Sequence, residues 1–144
     1  MKAETQEWLI KGNIDVQASN ALLETKQPIL YDIIAYHYQQ AVEKYLKALL
    51  VEQGVEPPKE HRIDILISLN QGYVSDVETL HEFDSITDYA VKTRYPGIAG
   101  EITETDIKFC QKAVSATAEI VNRHLEQTVE NVHIKDRDDE DLHR

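Results

Sequence analysis

An all-α fold, an antiparallel up-and-down bundle of four long helices plus one short helix, is predicted by three observations. Gly and Pro cut the chain into pieces of helical length, apolar residues in most pieces recur at steps of three and four, and no stretch alternates with period two for long enough to argue for a sheet. A chain of 144 residues suits one domain with one core. No repeat or linker divides it, so the domain is expected over residues 1–126, with an acidic, flexible tail over 127–144.

The first helix is expected over about residues 5–23. Trp8, Leu9, Ile14, Ala18, Ala21 and Leu22 form its inward stripe, and Glu7, Lys11, Asp15 and Glu24 its outer face. The second opens near Pro28, a residue favoured in a first helical turn, and runs to about Gln53 before Gly54 and the Pro57-Pro58 pair stop it. Its apolar set, Leu30, Ile33, Ile34, Tyr38, Ala41, Val42, Tyr45, Leu46, Leu49 and Leu50, is wider than a one-sided stripe and predicts neighbours on more than one side. A short third helix over about 62–70 offers Ile63, Leu66, Ile67 and Leu69, with Gly72 as a terminator. The fourth, from 75 or 76 to about 91, spaces Val77, Leu80, Phe83, Ile86 and Tyr89 or Ala90 at threes and fours. After a loop over 93–102, Thr103-Glu104-Thr105-Asp106 reads as a capping-box variant opening the fifth helix. Ile107, Cys110, Val114, Ala118, Val121 and Leu125 give that helix a clean stripe, and beyond about 127 the periodicity fades into an acidic run with little to bury.

The formal net charge of −11 argues against an extended nucleic-acid surface, because such surfaces work by Lys and Arg displacing condensed counterions. A local basic pocket is compatible with it. One cysteine, Cys110, leaves no intrachain disulfide framework and no thiolate cluster for zinc, as in a reducing cytosol. No apolar leader and no run of membrane-spanning length is seen, so a cytoplasmic protein without metal or cofactor is expected.

The run from His37 through Gln39-Gln40-Ala41-Val42-Glu43-Lys44-Tyr45-Leu46-Lys47-Ala48-Leu49-Leu50, then Gly54, Pro57-Pro58 and His61, and later Thr93-Arg94-Tyr95-Pro96-Gly97, resembles the HEPN family over about residues 8–125. The resemblance implies a small helical domain whose long second helix reads Q-A-x-E-K-x-L-K-A-L-L, with a His before the third helix and an R-Y-P turn before the last. HEPN proteins are either metal-independent ribonucleases or non-catalytic modules that bind nucleotides or partner proteins. In the ribonucleases an Arg and a His four to six residues apart meet their symmetry mates around one RNA phosphate, His moving protons and Arg stabilising charge. The Arg here is Arg94, and Tyr95 through Lys108 contain no histidine. Arg137 and His143 have the spacing but stand in the acidic tail, and Arg123 and His124, being adjacent, are expected on different sides of their helix. No catalytic residue is therefore assigned.

Nucleotide-binding candidates are Lys44, Lys47, His61, Arg94 and Tyr95. Glu43 and Lys47 are an i,i+4 pair and with Lys44 read as a solvated stripe; alternatively Lys44 or Lys47 faces the Arg94-Tyr95 loop as a basic spot, where tyrosine would stack a base. His61 either closes the Pro-rich loop or contacts a ligand. His37 and His81 read as helix-surface or core-edge residues. The wide apolar surface of the second helix, with Tyr31, Tyr36, Tyr38 and Tyr45, suits a protein interface, so a homodimer is expected, although packing within one bundle could absorb the same residues. The resemblance further implies a minimal nucleotidyltransferase partner of toxin–antitoxin type. The alternative is a ribonuclease toxin with an atypical Arg/His arrangement.

Overall fold

The computed structural model describes residues 1–92 and 101–125, which are helical throughout apart from connections. In order come α1 (Ala3–Glu24), the 3-10 turn η1 (Pro28–Leu30), α2 (Tyr31–Glu52), α3 (Ile63–Asn70), the 3-10 helix η2 (Ser75–Thr87), α4 (Asp88–Lys92) and α5 (Glu104–His124). The expectations for the loop over 93–100, with Arg94 and Tyr95, and for the tail over 127–144 lie outside the described residues.

α2 is the axis of the bundle: α1, α3, α4 and α5 all pack on it. Its wide apolar set is the reason, since Ile34, Tyr38, Ala41, Val42, Tyr45, Leu46, Leu49 and Leu50 are all buried and need cover on every side but one. That cover comes from within one chain. Tyr38 and Tyr45, available for an interface, stand in the core, whereas Ile33 of the same apolar set is exposed. The helix ends at Gly54, whose φ of 82° is a conformation that side-chain-bearing residues resist.

α1 runs antiparallel to α2, as the bonds from Thr5 to Glu52, Tyr45 to Asn13 and Ser19 to the Ile34 carbonyl show. Here the expected stripe holds at Leu9, Trp8 and Leu22, which are buried or packed against the core, and fails at Ile14. Ile14 is 56% exposed, whereas Thr5, Gly12, Asn13, Asp15 and Ser19 are buried beside Leu9 and Val16. α2 sets this requirement: its tyrosine hydroxyls need acceptors, supplied by Asn13 and Asn20, and the Tyr45 ring needs room, supplied by Gly12. Asp15, placed on the outer face by its charge, turns inward for the same kind of reason.

The fourth arm also departs from the expectation of an ordinary amphipathic α-helix. Val74, Val77, Leu80, Phe83, Ile86 and Tyr89 are buried and fall at every third position. An α-helix would rotate each successive member by about 60° away from the core. At about 3.0 residues per turn they stay in one line, which is why a 3-10 helix is held here far beyond its usual length. α5 closes the bundle as its sequence predicts, with the Thr103 hydroxyl accepting from the Asp106 amide, the Asp106 carboxylate accepting from the Thr103 amide, and all six stripe residues buried.

Candidate functional site

The charged residues of α2 are not a solvated stripe. Glu43 and Lys47 are almost wholly buried, and burial of charge is tolerated only where partners replace water. The Glu43 carboxylate accepts from Lys47 Nζ at 3.1 Å and from His61 Nδ1 at 3.2 Å, with Gln39 Nε2 at 3.5 Å. Lys47 Nζ also lies 5.5 Å from the centre of the Trp8 ring on α1, so the ammonium is held between a carboxylate and an aromatic face. His61 reaches back to this buried pair from the loop after α2, while 73% of its side chain stays exposed. With Nδ1 donating to Glu43, the opposite nitrogen, Nε2, faces outward. Glu60 accepts at Oε1 from the amides of both His61 and Arg62, fixing the backbone at the entry to α3.

A second polar cluster joins α1 to α2. Asp15 accepts from His37 Nδ1 at 2.8 Å and from Lys44 Nζ at 2.5 Å, and the helical repeat sets His37 and Lys44 on one face of α2. Lys44 is thus committed to a buried carboxylate on α1. Between the two clusters Gln40 Nε2 donates to Gln39 Oε1 at 2.7 Å.

A third cluster corrects the expectation for Arg123 and His124. Although adjacent, both side chains reach Asp76 at the start of η2, Arg123 through Nε at 3.0 Å and an NH2 group at 2.7 Å, His124 through Nε2 at 2.8 Å. At the last turn of a helix the chain has room to splay neighbouring side chains around one acceptor. Partial burial pushes the Asp76 carboxyl upward, but the bonds from His124 and Arg123 outweigh it and hold it below its ordinary value. Deeper in the bundle, burial pushes the Cys110 thiol up to about 12, assisted by the charge of Asp106, and Tyr89 is raised by burial and by its bond to Asp106. Neither is a nucleophile in this setting.

Of the five candidate ligand contacts, Lys47 and His61 are brought together on Glu43, Lys44 is drawn one turn away to Asp15, and Arg94 and Tyr95 lie outside the described residues. Trp8, Asp15 and Glu43 complete the arrangement, and sequence reasoning does not single them out as site residues. Trp8 and Asp15 are two helical turns apart on α1, a spacing that places both on one face. A carboxylate-backed, exposed imidazole can accept or donate a hydrogen bond and can move a proton. Among the described residues no group of three or more His, Cys, Asp or Glu is placed to hold a metal ion. A cleft of about 400 Å³ lined by Lys2, Glu4, Val51, Gly54, Val55, Glu56 and Pro57 shares none of these side chains.

Among the described residues, no helix is long and apolar enough to cross a membrane. The HEPN domain family model matches residues 5–127. No curated protein and no solved structure matches the chain.

Proposed function

Since this chain belongs to the HEPN domain family, we propose that it is a non-catalytic binding module, cytoplasmic and homodimeric, that holds a nucleotide at the Glu43-backed His61. Arg94 and Tyr95 of the loop over 93–100 are the further contacts, and Lys44 and Lys47 serve by holding Asp15 and Glu43 in place. The observation that carries this reading is the internal commitment of both lysines. Each ammonium is neutralised by a buried or half-buried carboxylate, which fits positioning of a ligand better than stabilisation of charge developing on a reacting phosphate. The partner is a minimal nucleotidyltransferase, and the dimer contact is apolar, through Ile10 and Ile14 of α1 with Ile29 and Ile33, all four exposed.

Calorimetric titration with AMP, ADP and ATP tests the module. Binding that Arg94→Ala weakens by about tenfold, with the helical spectrum intact, supports it. A protein that binds none of the three removes the nucleotide from the reading. The ribonuclease alternative is favoured by one observation, the orientation of His61 by Glu43, since an oriented imidazole is equipped for proton transfer. Metal-independent RNA cleavage by the wild type that His61→Ala abolishes would establish it instead.

A further inference from the structure

Resting on the nucleotide-binding reading, we propose that His61 is the seat of a terminal phosphate, a phosphomonoester rather than a phosphodiester, and that Glu43 is its positioning residue. An exposed imidazole ordinarily samples several rotamers, and holding it in one costs conformational entropy. Here Nδ1 is tied to a carboxylate that is itself buried and balanced by Lys47, so the ring is fixed with Nε2 directed away from the protein. A group reaching Nε2 therefore meets a pre-oriented edge.

Phosphate chemistry matches this edge. A phosphomonoester can keep a proton on one oxygen and donate it to Nε2, which accepts when Nδ1 carries the ring proton. A phosphodiester has no such proton to share. The same backbone already seats an oxyanion: the amides of His61 and Arg62 both donate to the Glu60 carboxylate at 3.1 Å, near the exposed Lys59, while the Arg62 guanidinium is held by Asp64. Glu60 is then the competitor of an incoming phosphate, and its removal vacates two backbone donors at the residues that carry the seat. No bond is made or broken in this proposal.

The test titrates the full-length protein with AMP, with 3′,5′-cyclic AMP and with inorganic phosphate, read by calorimetry and by the ¹⁵N resonances of the His61 ring. The wild type is expected to prefer AMP over cyclic AMP by about tenfold, and His61→Ala to erase that preference by weakening AMP about tenfold more than cyclic AMP. Because His61→Ala also takes one partner from the buried Glu43 carboxylate, the far-UV circular dichroism of the variant is compared with that of the wild type. In the Glu43→Leu/Lys47→Met double variant, which removes every acceptor at position 43 without leaving Lys47 buried and unpaired, the ring resonances should show the Nδ1–H tautomer lost together with the AMP preference. Glu60→Ala should tighten AMP. An AMP preference that survives His61→Ala overturns the seat and leaves the nucleotide module standing. If neither nucleotide binds but inorganic phosphate still shifts the His61 ring, the seat stands and the module reading falls.

Discussion

Gly12→Ala is expected to destabilise this protein, although helix propensity alone says the opposite. Replacing a mid-helix glycine with alanine favours the helix by about 1 kcal/mol. At this position, however, a Cβ would stand 2.6 Å from Cε1 and 2.8 Å from Cδ1 of Tyr45, whose ring is fully buried. Overpacking of that kind costs about 1–3 kcal/mol. The ring cannot retreat without breaking its 2.6 Å bond to Asn13, and a buried polar group left unpaired costs about 1–3 kcal/mol more. The net is a loss of about 3 kcal/mol, equivalent at this chain length to a fall in Tm of about 6–12 °C. Urea and thermal unfolding followed by far-UV circular dichroism measure it. The Gly12→Ala/Tyr45→Leu double variant supplies the control, because removing the ring should remove most of the cost of the added methyl group and make the two changes non-additive by at least about 1 kcal/mol. A Gly12→Ala protein as stable as the wild type, or two changes that simply add, would refute the argument that Tyr45 excludes a side chain here.

Lys47→Met should cost about 3–5 kcal/mol by stranding the Glu43 carboxylate, and Glu43→Gln added to it should restore most of the loss, as chemical denaturation of both variants will show. Because Asp76 is held below its ordinary value, the unfolded chain binds more protons there than the folded one, so its contribution is complete above about pH 4 and is lost as pH falls through the lower folded value. Asp76→Asn should therefore flatten the acid limb of a stability–pH curve, and an unchanged limb would exclude the Asp76 cluster as its source. Cys110, with its thiol pushed up to about 12 by burial, should resist maleimide in the native protein at pH 7 and react once urea unfolds it; prompt native labelling would contradict the packing of α5.

The bundle is legible in the sequence where one force dominates. α5 combines a capping box with an apolar stripe facing a single neighbour, and both stand plainly in its residues. α2 declares by its breadth that it is surrounded, though not that its own chain does the surrounding. α1 defeats the same reasoning because its buried face is chosen by partners on α2: Asn13, Ser19 and Asp15 go inward to meet a hydroxyl, a carbonyl, and an ammonium with an imidazole, a choice no hydropathy pattern on α1 can express. The same limit applies to the site. Glu43 and Lys47 are visible as a pair, and His61 as a candidate, but that Lys47 and His61 share one carboxylate depends on the path of the loop between them. The η2 helix is a different case, since the strict recurrence of Val74, Val77, Leu80, Phe83, Ile86 and Tyr89 at every third position is a sequence signal that a loose three-or-four template hides.

That recurrence also sets how this segment can change over evolutionary time. Losing or gaining three residues in η2 leaves the buried line in register and alters only its length, whereas a change of one or two turns every following apolar residue toward solvent. In α2 the same three-residue indel would swing the remainder of the helix by about 60° and unseat the Tyr38 and Tyr45 hydroxyls from their acceptors. Length variation among relatives should accordingly gather between positions 75 and 87 in multiples of three, or nine nucleotides in the gene, and be absent from the helix around which the rest is built.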